Sequence, residues 1–167
     1  GHSDIDLSPE GRHQIELLRD YLAEDKIDAI FTSDLLRTMS AAKILNTKRN
    51  LKITPCPELR EMNYGLCEGL TFGQINQDYP EVAEKCINFN LSLEFPEGET
   101  FNDFSKRTIS FLNRLKVFKP TDVLLLVSHN GPLKTLVCHF LGIDQQHWWQ
   151  IRIDVASLSI MDVSPRG

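Results

Sequence analysis

The chain has 167 residues, the size of one domain and enough to bury a sizeable core. Its 18 Lys and Arg against 23 Asp and Glu give a net charge of −5 with no basic run, which argues against nonspecific nucleic-acid binding and leaves any anionic substrate to a few local cations. The longest aliphatic run is five residues, far too short to span a bilayer, in an ordinary globular composition of 41% hydrophobic and 25% charged residues.

Neither end reads as a natural chain end. There is no initiator Met, Gly1-His2-Ser3-Asp4 reads as the interior of a loop, and Ser164-Pro165-Arg166-Gly167 reads as a turn leading onward, so trimming at both termini is expected. Ser8-Pro9-Glu10 is a helix start, with a Ser N-cap, Pro at the first helical position and an acid in the first turn. Ile15, Leu18 and Leu22 give that helix its apolar stripe, and Leu17 and Tyr21 widen it. Residues 27–32 contain a short buried strand ending at the polar turn Thr32-Ser33-Asp34, and a helix follows over 35–45. Arg37 falls in the first turn of that helix, where the dipole disfavours a cation. It reads as a solvated surface residue, or as a group whose electrostatics a bound anion would reverse.

A second short strand is predicted over 51–54, and residues 57–71 read as loop. Glu61 and Glu68 are the acids of that loop, solvated unless a substrate lies beside them. A short helix over 72–78 stops before Pro80, and the weakly helical, then irregular stretch up to Phe95 has the character of a lid. Pro96-Glu97-Gly98-Glu99-Thr100 is a turn. Phe101, Phe104, Thr108, Phe111, Leu112, Leu115 and Phe118 mark a long amphipathic helix.

Val123 to Val127 then reads as a strand buried on both faces, ended by Ser128-His129-Asn130-Gly131-Pro132 and followed by a helix to Leu141. Such a turn lies at the carboxyl end of a strand, where open α/β sheets place their ligands, and it offers helix N-terminal N–H groups to an anion. His129 there reads either as a ligand or as a turn residue without chemistry. Ser157 to Met161 alternates as a last strand. The order of elements predicts a single α/β domain over residues 1–167, a mostly parallel sheet with helices on both faces, and an excursion at 72–99. Cys56, Cys67, Cys86 and Cys138 form no C-x-x-C pair, so reduced thiols in a cytoplasmic protein are the simplest reading.

Five blocks in this order resemble the histidine phosphatase (phosphoglycerate mutase-like) superfamily. Gly1-His2-Ser3-Asp4 with Leu7 to Gly11 is similar to the segment after the family's first motif. Ser33-Asp34-Leu35-Leu36-Arg37-Thr38 is similar to the block with a phosphate-binding arginine, here Arg37. Leu59-Arg60-Glu61 with Gly65 and Glu68 to Thr71 resembles the block with the proton donor, here Glu61. Pro96 to Thr100 resembles a substrate-side turn, and Val127 to Gly131 the second histidine motif, here His129. The Arg60 to Gly65 block and the Pro96 to Thr100 turn are most similar to α-ribazole phosphatases of cobalamin synthesis. Broad-specificity phosphatases of the same branch follow closely, and a phosphoglycerate mutase of the same family is a further alternative. Cys67 stands where the family usually has Trp.

The resemblance implies a phosphohistidine mechanism without metal or other cofactor. Arg37 and His129 would hold the phosphoryl oxygens, Glu61 would protonate the leaving oxygen, and N–H groups near Asn130 and Gly131 would add to the charge stabilisation. Gly1, His2 and Ser3 would line the substrate mouth. The implied partner is a small phosphorylated substrate; neither nucleic acid nor a membrane is expected, and a homodimer is compatible. The family's Arg-His-Gly turn, which carries the nucleophile, does not occur in this sequence. None of His2, His13, His129, His139 and His147 can be assigned that role, so the chain itself is expected to be impaired or inactive, with a phospho-ligand-binding or protein-binding member as the alternative.

Overall fold

The computed structural model describes residues 1–163; the turn expected at 164–167 lies outside them. The elements run α1 (Pro9–Tyr21), β1 (Ala29–Thr32), α2 (Leu36–Leu45), β2 (Ile53–Pro55), α3 (Phe72–Asp78), α4 (Pro80–Ile87), α5 (Phe101–Ser110), β3 (Leu124–Val127) and α6 (Asn130–Leu141). The strands make one parallel sheet in the order β2-β1-β3, with Ile30 opposite Ile53 on one side and Leu125 on the other. Parallel neighbours need crossovers. α2 supplies the first, and the long stretch containing α3, α4 and α5 supplies the second.

Alternation along β3 sorts the two faces. Leu125 and Val127 pack with Ile15, Leu22, Ala41 and Leu45 of the α1–α2 side. Leu126 packs with Phe31, Phe111 and Leu136 on the α5–α6 side. Phe31 anchors that second core by edge-on contacts with Phe111 and Phe118, at centroid distances of 5.4 and 5.7 Å. The expected α/β class, with a parallel sheet covered on both faces, is therefore the observed one. Ser8 caps α1 as its sequence predicts, accepting a hydrogen bond from the Gly11 N–H.

Four local expectations change. Leu17 and Tyr21 are 57% and 75% exposed, because α1 meets the sheet side only along the stripe of Ile15, Leu18 and Leu22. β3 is half-buried rather than buried, and Val123 is exposed. Among the described residues β3 pairs only with β1, so its outer edge has no ladder partner. The helix after Phe101 is α-helical to Ser110 and then winds as a 3-10 helix over Phe111–Val117. Leu112, Leu115 and Phe118 are spaced by three, the period that aligns them on one face of the tighter helix, and all three pack on the second core. Finally, Ser157 to Met161 forms no strand. Alternation supplies a face but no hydrogen-bonding partner, and Ile160 lies in the open.

The 72–99 excursion begins at a capping box, in which Thr71 and Gln74 satisfy each other's backbone N–H groups. It returns through a bridge between Glu94 and Thr100. Val82 and Phe95 of the excursion form a core with Met62, Cys67, Phe101 and Phe104.

Candidate active site

Three segments meet at the carboxyl ends of the strands: Ser33 and Asp34 after β1, the loop carrying Glu61 after β2, and Ser128 to Gly131 after β3. Parallel pairing fixes their neighbourhood, and polar ties fix their spacing. The Ser33 N–H donates to the Val127 carbonyl at 3.0 Å, and the Ser128 hydroxyl donates to the Leu59 carbonyl at 2.7 Å. Arg60 grips Asp34 through two bonds of 2.6 Å each. This Arg60 fork holds the Asp34 carboxyl below its ordinary range.

Arg37 projects from the first turn of α2. Its Nε donates to His129 Nδ1 at 3.3 Å, and its two terminal nitrogens donate to the Ser3 and Gly1 carbonyls at 2.8 Å each. Of the five N–H groups of a guanidinium, two have no protein acceptor among the described residues. An arginine can only donate, so His129 Nδ1 must accept, and the ring proton sits on Nε2, donating to the Ser33 hydroxyl at 3.0 Å. His129 is thus a neutral imidazole. Burial first, and then the Arg37 charge, push its pKa down to about 3.

A stability consequence follows from the sign of that shift. The unfolded imidazole takes up a proton near pH 6.5, whereas the folded one does so only near pH 3. Stability therefore falls as pH drops below about 6.5, by up to about 1.4 kcal/mol per pH unit. Urea unfolding of the wild type and of His129→Gln between pH 7 and 5 should show profiles that converge toward low pH. Parallel profiles would show that His129 is not held neutral.

Glu61 sits against the start of α6. One carboxylate oxygen accepts the Gly131 N–H at 3.1 Å and the other the Met62 N–H at 2.9 Å. A Cβ on Gly131 would lie 2.1 Å from the Glu61 carboxylate, so this approach needs glycine. The Glu61 carbonyl in turn accepts from the His2 ring at 2.8 Å and from Arg107 at 3.2 Å.

Two further residues hold this loop. Arg107, on α5, forks onto Glu99 at 2.7 and 2.9 Å and donates to the Pro57, Glu58, Arg60 and Glu61 carbonyls. Burial raises the Glu99 carboxyl, but Arg107 and the Asn63 N–H outweigh it, and the group rests below the usual carboxylate range. Glu68 gathers the N-terminal segment, accepting from the backbones of His2, Ser3 and Tyr64 and from the Ser3 hydroxyl. Arg107 does not stand out in the sequence, and Glu99 does so only as a member of the Pro96 to Thr100 turn. An arginine on the polar flank of an amphipathic helix looks solvated, and its acceptors are backbone carbonyls some 46 to 50 positions away.

A cavity of about 620 Å³ opens beside these groups, within the range of ligand pockets. Gly1, Ser3, Arg37, Glu61 and Glu68 line one end of it. The structure thus brings Arg37, Glu61 and His129 together around the β3–α6 turn, with His129 behind Arg37 and not on the cavity wall. The His2 ring, the Asn130 side chain and the Gly131 N–H are all engaged with protein groups. The His2 ring is turned to the Glu61 carbonyl. The Asn130 side chain donates to the Ile153 carbonyl. The Gly131 N–H is occupied by Glu61 and is not open to a phosphoryl oxygen. Each has found a protein partner, because a polar group at a half-buried turn is costly to leave unmatched. Among the described residues no three His, Cys, Asp or Glu side chains cluster as a metal site, and no helix is long and apolar enough to cross a membrane.

Known proteins repeat this arrangement of elements. The phosphoserine phosphatase 1 of Hydrogenobacter thermophilus is 28% identical over 166 residues, covering 99% of this chain and 79% of that protein. The adenosylcobalamin/alpha-ribazole phosphatase of Escherichia coli K12 is 28% identical over 167 residues, 99% of this chain and 82% of its own. The crystal structure of the alpha-ribazole phosphatase from Shigella flexneri superposes with a TM-score of 0.87 at 28% identity, over 93% of this chain and 77% of that one. All 167 residues match the description of the histidine phosphatase superfamily, branch 1. The five sequence blocks, the parallel sheet and this whole-length match agree, and the chain belongs to that superfamily.

Proposed function

We propose that this chain binds a small phosphomonoester at Arg37, and that the ester is α-ribazole 5′-phosphate of cobalamin synthesis. The observation that carries the reading is Arg37 itself, which presents two N–H donors left unengaged by the described residues at a cavity wall shared with Glu61. A planar fork suits two phosphoryl oxygens. His129 keeps that fork in plane while adding no competing charge before the phosphate arrives. The reaction the resemblance implies needs a histidine of an Arg-His-Gly turn, which these 167 residues do not contain; its imidazole nitrogen would bond to phosphorus as the ester P–O bond breaks. Glu61 delivers a proton to the departing oxygen, and water then cleaves the N–P bond. The 72–99 excursion closes the cavity as a lid on a single domain. Four free cysteines fit a cytoplasmic setting.

The second reading is a member that binds a phosphorylated ligand without turning it over. It rests on the Arg37 fork and the His129 imidazole behind it, which can hold a phosphate without any bond to phosphorus being made. Calorimetric titration with inorganic phosphate, beside a turnover assay on α-ribazole 5′-phosphate, separates the possibilities. Phosphate binding with little turnover is the result expected of this 167-residue chain. Robust turnover with a phosphohistidine trapped at one of its five histidines would overturn the reading that none of them is the nucleophile, and no phosphate binding would overturn the site.

A further inference from the structure

We infer that the apolar end of the cavity is a leaving-group pocket for an uncharged, ring-bearing alcohol, with Phe89 and Trp149 as its specificity-determining wall. The inference rests on the phosphate-binding reading of Arg37 and deepens it.

Size comes first. At ~30 Å³ per water molecule the 620 Å³ cavity has room for roughly twenty, far more than a three-carbon alcohol fills. Chemistry comes second. Away from Arg37 and the two carboxylates, the lining is dominated by side chains such as Met62, Leu93, Phe95, Phe101 and Trp148. Among the described residues the charged side chains on the wall are Arg37, Glu61, Glu68 and Lys85, beside a Gly1 amino group that burial pushes toward its neutral form. With Arg37 committed to phosphate, an alcohol bearing its own carboxylate meets two anions and a single lysine. Burying that carboxylate against aromatic rings without a partner is costly. Phosphoserine-like and phosphoglycerate-like esters are therefore disfavoured, and a neutral ring system is favoured.

Phe89, just past the end of α4, and Trp149, in the 3-10 turn Gln145–Gln150, stack with centroids 4.7 Å apart and planes 17° apart. Both rings stay about half exposed, at 52% and 44%. Phe89 holds a left-handed backbone at φ 48°, a conformation an aromatic residue rarely adopts. Two large rings, one of them on a strained backbone, thus join the excursion to the C-terminal segment at the cavity's edge. Trp148, beside them, packs edge-on against Phe101 at 5.7 Å and carries Lys134 over its face, which orients the inner ring. Faces and edges of rings on several sides are the surroundings in which a planar aromatic group gains most.

The test is calorimetric titration of the 167-residue chain with 1-naphthyl phosphate, O-phosphoserine and inorganic phosphate. Naphthyl phosphate should bind at least tenfold more tightly than the other two. Phe89→Ala and Trp149→Ala should each weaken it about fivefold, leave inorganic phosphate unchanged, and Phe89→Tyr should restore it. Because both rings are half exposed, these variants are expected to fold, and circular dichroism checks that they do. Equal affinity for all three ligands, with all three weakened by Arg37→Ala, overturns the pocket while the phosphate site stands. Naphthyl phosphate that binds no better than 1-naphthol, and is indifferent to Arg37→Ala, overturns the phosphate reading beneath it.

Discussion

Replacing Arg37 with Ala is expected to raise the dissociation constant for inorganic phosphate by one to two orders of magnitude. Arg37 is the cation at this end of the cavity whose donors are only partly used. A bidentate, charge-assisted pair is worth about 1.5–3 kcal/mol, which is roughly 10- to 150-fold in affinity. Its place on the helix adds to the effect. A cation in the first turn of α2 opposes the helix dipole, and a phosphate seated there relieves the conflict. Arg37→Lys should recover little, because a point charge cannot keep the bonds to His129, Ser3 and Gly1 while offering two parallel donors outward. Titration of the two variants against the wild type checks this. An unchanged dissociation constant in Arg37→Ala would remove Arg37 from the phosphate site, and full recovery in Arg37→Lys would show that charge alone, not the planar fork, does the binding.

Arg107→Ala carries the largest expected effect on stability, about 3–5 kcal/mol. The Arg107–Glu99 pair is largely sequestered, with side chains 22% and 19% exposed, and breaking a buried pair from one side leaves the other charge unmatched. The four carbonyls that Arg107 collects lose a donor at the same time. At 2–4 °C of melting temperature per kcal/mol for a domain of this size, the midpoint should fall by about 6–20 °C. Removing both charges in Arg107→Met with Glu99→Gln should cost less than the two single changes summed, since no lone buried ion remains. The function should fall with the fold, because the Glu61 carbonyl is one of the four. Thermal unfolding of the wild type, Arg107→Ala, the two single changes and the double variant gives the answer, and a loss under about 1 kcal/mol in Arg107→Ala would show the loop to be held by its packing alone.

Gly65 shows how tightly that loop is fitted. It adopts φ 51°, and a Cβ there would lie 2.0 Å from the Pro96 carbonyl, so the loop and the Pro96 to Thr100 turn touch backbone to backbone. Sequence blocks that look independent, the Glu61 loop and the Pro-Glu-Gly-Glu-Thr turn, are one unit in space. Arg107 and Glu99 are the polar part of the same joint, since Glu99 also accepts the Asn63 N–H at 2.9 Å.

The sequence by itself determined those features that depend on neighbours in the chain. Ser8 with Pro9 starts α1, Thr71 with Gln74 starts α3, and the aliphatic run before Ser128 ends in a strand–turn–helix unit. The class of fold and the candidate trio of Arg37, Glu61 and His129 were legible for the same reason, because each sits in a short block of characteristic residues. Only the tertiary structure decided what depends on a partner far along the chain. It left Ser157 to Met161 unpaired and β3 half-buried, because a strand's state is set by the edge beside it and not by its own alternation. It set His129 behind Arg37 as a neutral imidazole, because protonation follows burial and a neighbouring charge. It made Arg107 a hub and the two tryptophans a cavity wall, because the groups they meet come from loops and from the excursion, and no local pattern encodes such contacts.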